Sequence, residues 1–182
     1  MVITSAQDEE KRDGRVSAWA LFILAVARGL FNKPGSSTLI GAIAVLFRAV
    51  NTAPFFCHLF GIFMIGFAFD LAATLLLKRK DQSFLKRSMV GIFASYGGFA
   101  LFALIITYII RYEFWVAGGL AKVIAHIFFS GSFLALIAIL SVPLGYRIGQ
   151  KGETLILRYP RWIYGASLLI SFLIWTLGRL VA

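Results

Sequence analysis

Long apolar runs, separated by short charged segments, dominate the pattern of the chain. Three runs contain few charges, at residues 54–77, 88–110 and 116–142. Each is long enough for the roughly 20 helical residues that cross a hydrocarbon core of about 30 Å. A fourth run, residues 163–181, is interrupted only by Arg179 near its end, where a long side chain can reach the membrane interface. The pattern therefore predicts at least four membrane-spanning helices.

The N-terminal region contains two shorter apolar segments. They cover residues 16–27 and 38–47, each is followed by an arginine, and the sequence Asn-Lys-Pro-Gly at 32–35 separates them. Pro and Gly commonly end helices and form turns, so we predict two short helices here and six hydrophobic segments in all. The alternative is that both segments form one crossing, which gives five crossings. That arrangement places the Asn-Lys pair of the turn at membrane depth, where polar groups are costly.

A charged tail, residues 1–15, precedes the first segment. Basic residues before a short apolar region are typical of a secretory signal peptide, but this tail also carries four acidic residues. We therefore expect an uncleaved first helix and interpret residues 16–182 as a single transmembrane helical domain. The predicted fold class is an all-α, polytopic integral membrane helical bundle.

Composition favours lipid as the surrounding solvent. Of the 182 residues, 60% are hydrophobic and 14% are charged, which is more apolar surface than one soluble domain of this size can hide. The 18 basic residues outnumber the 8 acidic ones and lie between the apolar runs. This distribution suits anionic lipid headgroups better than nucleic acid. We expect a multi-pass protein of the cell membrane.

The basic residues also predict an orientation. With six crossings, eleven of them fall on one side of the membrane and six on the other, so the positive-inside rule puts both termini outside. With five crossings the division is twelve to three and the N-terminus lies inside. The eleven residues on the predicted cytoplasmic side are Arg28, Lys33, Lys78, Arg79, Lys80, Lys86, Arg87, Arg147, Lys151, Arg158 and Arg161.

The segment after the Pro-Gly turn has a face suited to helix docking. Ser37, Gly41, Val45 and Ala49 recur every four residues and fall on one side of a helix. Small residues in this spacing let membrane helices approach closely. The face can dock within the chain or against another subunit, and the sequence leaves both alternatives open.

This same stretch resembles a known family. Residues 33–48 (KPGSSTLIGAIAVLFR), followed by 61–66 (GIFMIG) and Phe69-Asp70, are similar to the substrate-binding S components of energy-coupling factor transporters, particularly the thiamin-precursor type. The resemblance covers roughly residues 16–75. It implies a small membrane protein that captures a vitamin or other micronutrient, driven by a transmembrane coupling subunit with ATPases. It also implies that the coupling subunit docks on the face from Ser37 to Ala49.

Polar residues within the spans are the candidate ligand contacts. Lys122, His126 and Ser130 are four apart, so they project from one face of a helix. An ionisable group at membrane depth usually faces a cavity or a partner. We therefore predict a pocket for a small molecule, while an interhelical hydrogen-bond network with nothing bound stays equally open. Trp115, at the adjacent interface, and His58 complete the predicted substrate-binding set.

Other classes of function have less support. His58 and His126 are the only histidines, and a haem-binding membrane anchor would use both as axial ligands. Counted from the start of each run, their depths differ by about 10 Å at 1.5 Å per residue, which argues against that pairing. A non-catalytic anchor subunit of a larger complex is the broader alternative. We find no phosphate-binding glycine loop, metal-spaced cluster or Ser-His-Asp set, so we expect neither an enzyme nor a resident metal or cofactor.

Overall fold

The computed structural model describes residues 18–49, 56–77 and 83–158, and every element of secondary structure in these ranges is a helix. The predicted all-α class is confirmed for them. The tail at 1–15 and the apolar run at 163–181 lie outside the described residues. The helices are α1 (Ala18–Phe31), α2 (Ser36–Ala49), α3 (Phe56–Leu76), α4 (Phe84–Leu104), α5 (Glu113–Val116) and α6 (Gly119–Arg158), and α4 continues as a π-helical turn over Ile105–Ile109.

Three of these helices are long and apolar enough to cross a membrane. The spans are Leu59–Leu76, Phe84–Ile109 and Gly119–Glu153, and they correspond to the three long runs predicted from the sequence. α1 and α2 are apolar but shorter. The chain is therefore a helical membrane protein, and the count of six segments stays a prediction.

The break predicted at residues 32–35 is a tight turn between α1 and α2. Asn32 and Gly35 both have left-handed backbone conformations, with φ of 44° and 89°. Glycine and asparagine are the residues that adopt this region most readily. The turn reverses the chain, so α1 and α2 form a helical hairpin and not one continuous crossing.

Paired contacts fix the directions of the long helices. Arg87, near the start of α4, bonds to Gln150, late in α6. Phe102, late in α4, instead contacts His126, early in α6. α4 and α6 are therefore antiparallel, and the neighbouring pairs α2–α3 and α3–α4 alternate in the same way.

This alternation separates two ends of the bundle. We call one the basic end, because four exposed basic residues lie there, and the other the aromatic end, because it holds α5 with Trp115. All four basic residues belong to the groups that the sequence assigned to the cytoplasmic side, so the positive-inside rule predicts that the basic end faces the cytoplasm. They are Lys33, Lys86, Arg147 and Lys151.

α6 corrects the prediction that residues 143–162 form a loop. The helix continues through Pro143 to Arg158, and its 40 residues extend about 60 Å, twice the thickness of a hydrocarbon core. A proline inside a helix has no N–H to donate to the carbonyl four residues earlier. Here that carbonyl, of Ile139, accepts a hydrogen bond from the Ser88 hydroxyl at 2.8 Å. Ser88 on α4 thus replaces the missing donor.

α1 packs on the C-terminal half of α6 through glycine. A Cβ atom added to Gly145 would lie 2.8 Å from the carbonyl oxygen of Phe22, and one added to Gly29 would lie 2.8 Å from that of Tyr146. Gly149, one turn after Gly145, is also in close contact with the backbone of α1. Small residues four apart on facing helices allow such contacts. The contacts advance together along both helices, so α1 and α6 run parallel.

Two apolar clusters fill the interior. The larger one joins α1, α3, α4 and α6, and the smaller one lies at the aromatic end. The largest fully buried side chains of the first include Leu21, Phe69, Val90, Leu134 and Val142. The second consists of Met64, Phe102, Ala103, Ile106, Trp115 and Val123.

We predict that Gly149→Ala lowers the free energy of unfolding by about 1 to 3 kcal/mol, because the added methyl group forces α1 away from α6. Gly97→Ala is the matched control, since its Cβ atom would meet the Cβ atom of Ala68 at 3.7 Å, an ordinary contact. Equilibrium unfolding of the purified protein in detergent measures both. Equal stability of the two variants would contradict the close α1–α6 contact.

The orientation has its own test. In a Cys57→Ala background, a cysteine at exposed Ser83, near the basic end, should resist a membrane-impermeant maleimide added outside intact cells. A cysteine at exposed Tyr112, at the aromatic end, should react. Gel-shift labelling measures both positions, and the reverse pattern would invert the bundle in the membrane.

Candidate ligand-binding site

Four of the five predicted substrate-binding residues come together at the aromatic end. The rings of Trp115 and His126 have centroids 5.0 Å apart. The Lys122 Nζ lies 5.2 Å from the centroid of the Trp115 ring. The Ser130 Oγ lies 3.5 Å from the His126 Nδ1. α3 begins at this same end, so the backbone at position 58 lies nearby, but the side chain of His58 is outside the described residues.

Aromatic rings from α4 complete a cage around the imidazole, which we call the His126 cage. Phe99 meets the His126 ring almost perpendicularly, with centroids 5.0 Å apart, and Phe102 meets it at 5.8 Å. Phe102 also contacts Trp115 edge to face at 5.2 Å. Edge-to-face geometry at these distances is the favoured arrangement of aromatic pairs. The imidazole is therefore held between three rings, and it stays half-buried.

Local backbone features place Trp115 in this cage. α4 ends in the π-helical turn, and Arg111 then takes a left-handed conformation with φ of 55°. α5 is only four residues long, and Gly119 opens α6 with φ of 58°, a value that favours glycine. These two reversals fold α5 back against the end of α4, so the Trp115 side chain is 8% exposed.

Sequence reasoning missed Phe99 and Phe102. They lie three residues apart on one face of α4, which is the only local signal that links them. The chain has 18 phenylalanines, and many occur in similar spacings on surfaces that face lipid. Only the antiparallel packing of α4 on α6 selects these two.

The chemistry of the site is that of binding. Lys122 supplies an ammonium group, His126 an imidazole and Ser130 a hydroxyl, all on one face of α6. The cage adds apolar ring edges that can contact a flat ligand. These groups can donate hydrogen bonds to a polar ligand whose ring packs on aromatic surface, which is the usual composition of a small-molecule site.

A shallow apolar groove runs along the outward face of α6, beside the cage. Its volume is about 560 Å³. The hydroxyl groups of Tyr96 and Ser132 are 2.7 Å apart along it. Lining of this kind suits the acyl chain of a lipid, as expected for a helix face in a bilayer. The lining residues are Ala125, Phe128, Phe129, Ser132, Phe133 and Leu136.

A second polar cluster, the Asp70 cluster, lies towards the basic end. The sequence analysis did not assign Arg28 a partner, but here Arg28 forms an ion pair with Asp70 at 2.9 Å, with both side chains less than 10% exposed. Arg28 also donates to the Lys33 carbonyl oxygen and, at 3.1 Å, to the Thr74 hydroxyl. One guanidinium therefore joins the end of α1, the turn and α3.

The Asp70 carboxylate is equally well satisfied. Its second oxygen accepts hydrogen bonds from the Gly35 backbone N–H and, at 3.1 Å, from the Thr38 hydroxyl. All of these donors come from the α1–α2 hairpin. A single carboxylate on α3 thus anchors the whole hairpin at membrane depth, where an uncompensated charge would be costly.

The predicted docking face of α2 is partly occupied inside the chain. A Cβ atom on Gly41 would lie 3.4 Å from the Cα of Gly66 on α3, and one on Gly66 would lie 3.1 Å from the Ser37 carbonyl oxygen. Ser37 and Gly41 are buried, Val45 is half-buried and Ala49 is exposed. The first half of the face therefore docks on α3, which leaves only the end near Ala49 available to another subunit.

The chain matches no protein-family model, no curated protein and no solved structure. The function is therefore argued from the geometry of the site and from the sequence resemblance.

We predict that Asp70→Leu lowers the free energy of unfolding by about 3 to 5 kcal/mol, because it leaves Arg28 as a buried charge without its carboxylate. The double variant Arg28→Met, Asp70→Leu should lose less than Asp70→Leu alone, since it removes both charges. Unfolding in detergent measures the two. A double variant as unstable as the sum of its single changes would show that the ion pair is not the coupling interaction.

Proposed function

We propose that this protein is the membrane-embedded, substrate-binding subunit of an importer of the energy-coupling factor type. It captures a vitamin or another micronutrient. The observation that carries the proposal is the convergence of Lys122, His126, Ser130 and Trp115 at the aromatic end. These residues supply polar groups and ring surface together, in a cluster that is only partly buried.

The position of the cluster supports capture from outside the cell. It lies at the end of the bundle opposite the exposed basic residues. If the basic end faces the cytoplasm, as the positive-inside rule predicts, the His126 cage opens towards the exterior. A nutrient arriving from outside would meet the cage first.

The energy for transport would come from a separate partner. The sequence has no glycine loop that could hold nucleotide phosphates, so a coupling subunit with ATPases is part of the proposal. The exposed end of the α2 face, around Ala49, is a candidate contact for that subunit, whereas Ser37 and Gly41 are engaged with α3.

Co-purification tests the assignment of class. The tagged full-length chain is extracted from its native membranes in mild detergent, and its partners are identified by mass spectrometry. The expected result is one transmembrane subunit together with ATPase subunits. Recovery of a redox assembly, or a haem absorbance band in the purified protein, would support the membrane-anchor alternative and contradict the proposal.

Binding tests the assignment of the site. We predict that Lys122→Ala or His126→Ala weakens binding of the transported vitamin by about 1 to 3 kcal/mol, the cost of leaving a buried polar partner unpaired. Ile124→Ala, on the exposed surface of the same helix, is the matched control and should bind normally. Calorimetry measures affinity with the vitamin identified by a screen. Unchanged affinity in both site variants, with a large fall in melting temperature, would make the cluster structural.

A further inference from the structure

The described charges are unevenly distributed between the two ends of the bundle. The described residues include three acids: Asp70 lies in the Asp70 cluster, Glu153 is near the end of α6, and Glu113 is exposed at the start of α5. Glu113 is therefore the single described acid at the aromatic end. Basic groups at this end are Lys122 beside the cage and exposed Arg111.

Lys122 has a defined place in this end of the molecule. Its Nζ lies over the ring of Trp115 at 5.2 Å from the centroid, the position that a cation takes over an aromatic face. A ligand with a positively charged ring would compete for the same ring face. It would also sit within a few ångströms of the ammonium group, where two like charges repel strongly in a poorly solvated site.

His126 extends the same preference. Its ring is held edge-on by Phe99 and Trp115, and the Nδ1 lies on the side of Ser130. An imidazole, an ammonium and a hydroxyl on one face of α6 can each donate a hydrogen bond, and an anionic acceptor strengthens such bonds. Aromatic edges beside them contact a flat ring.

We propose that the His126 cage selects ring compounds that carry an anionic group, such as a carboxylate, and rejects ring compounds that carry a cation. Lys122 and His126 hold the anion, while Phe99, Phe102 and Trp115 contact the ring. This inference rests on the proposed function, because it names the class of substrate that the same site takes.

Three probes with one ring isolate the effect of charge. Benzoate, benzamide and benzylamine are anionic, neutral and cationic near pH 7. Each is titrated against the full-length protein in nanodiscs of phosphatidylcholine, and binding is followed by ligand-observed saturation-transfer NMR. We expect benzoate to bind at least ten times more tightly than benzylamine, with benzamide between them.

Variants assign the preference to Lys122. Lys122→Gln, which keeps length and hydrogen bonding without charge, should reduce the ratio of benzoate to benzylamine affinity to about threefold or less. Lys122→Arg should preserve the ratio, and Ile124→Ala serves as the control. Melting temperatures are measured alongside. If Lys122→Gln is unstable, the wild-type ratio and Lys122→Arg still decide the charge preference.

The outcomes separate this inference from the proposed function. Equal binding of all three probes that is lost in His126→Ala overturns the charge selectivity and leaves ligand capture intact. Tighter binding of benzylamine, a preference that survives Lys122→Gln, or no saturable binding of benzoate also overturns it. Absence of a coupling subunit in the purification removes the proposed function independently of these results.

A lipid headgroup could supply the same anionic chemistry as a free solute. The benzoate titration is therefore repeated in nanodiscs that contain phosphatidylglycerol. Unchanged affinity supports a soluble ligand, as proposed. Displacement of benzoate by the anionic lipid would assign the cage to a headgroup and overturn the inference.

Discussion

The ion pair between Arg28 and Asp70 is the interaction on which the architecture of this bundle depends. In a hydrocarbon core each polar group must be satisfied by the protein itself, because water is absent. The carboxylate of Asp70 meets this requirement with donors from α1, the turn and α2. Two helices too short to be stable alone thereby become fixed to a long spanning helix.

The same constraint explains the backbone of α6. Pro143 removes one intrahelical hydrogen bond, yet the helix continues because Ser88 on the neighbouring helix donates to the Ile139 carbonyl. In a membrane, where no water can take that role, the substitution must come from another helix. α4 therefore has a polar function as well as a packing one. Its small residues bring the hydroxyl close enough to act.

The sequence was sufficient for the features that depend on local pattern. The three long spans, the turn at 32–35 and the shared face of Lys122, His126 and Ser130 follow from periodicity and punctuation. The partner of Arg28 could not be found in this way, because Asp70 is 42 residues distant. An arginine at the end of an apolar run normally marks the interface.

Other features could not be predicted because they depend on which helices are neighbours. The glycines of α6 that contact α1 do form a visible Gly-xxx-Gly pattern at Gly145 and Gly149, but the sequence does not say which helix they face. Pro143 is normally a signal to end a helix. Its tolerance depends on Ser88, more than 50 residues earlier, so local reasoning predicted a loop.

The two polar clusters of the bundle differ in one physical respect, and that difference separates structure from binding. At the Asp70 cluster, carboxylate and guanidinium are matched, and backbone and hydroxyl groups complete the set, so the charges compensate one another within the chain. At the His126 cage, an ammonium and an imidazole meet aromatic rings, and the nearest described acid, Glu113, is exposed. Ring surfaces attract a cation only weakly compared with a carboxylate. An anion entering the cage therefore gains an interaction that it could not gain at the Asp70 cluster.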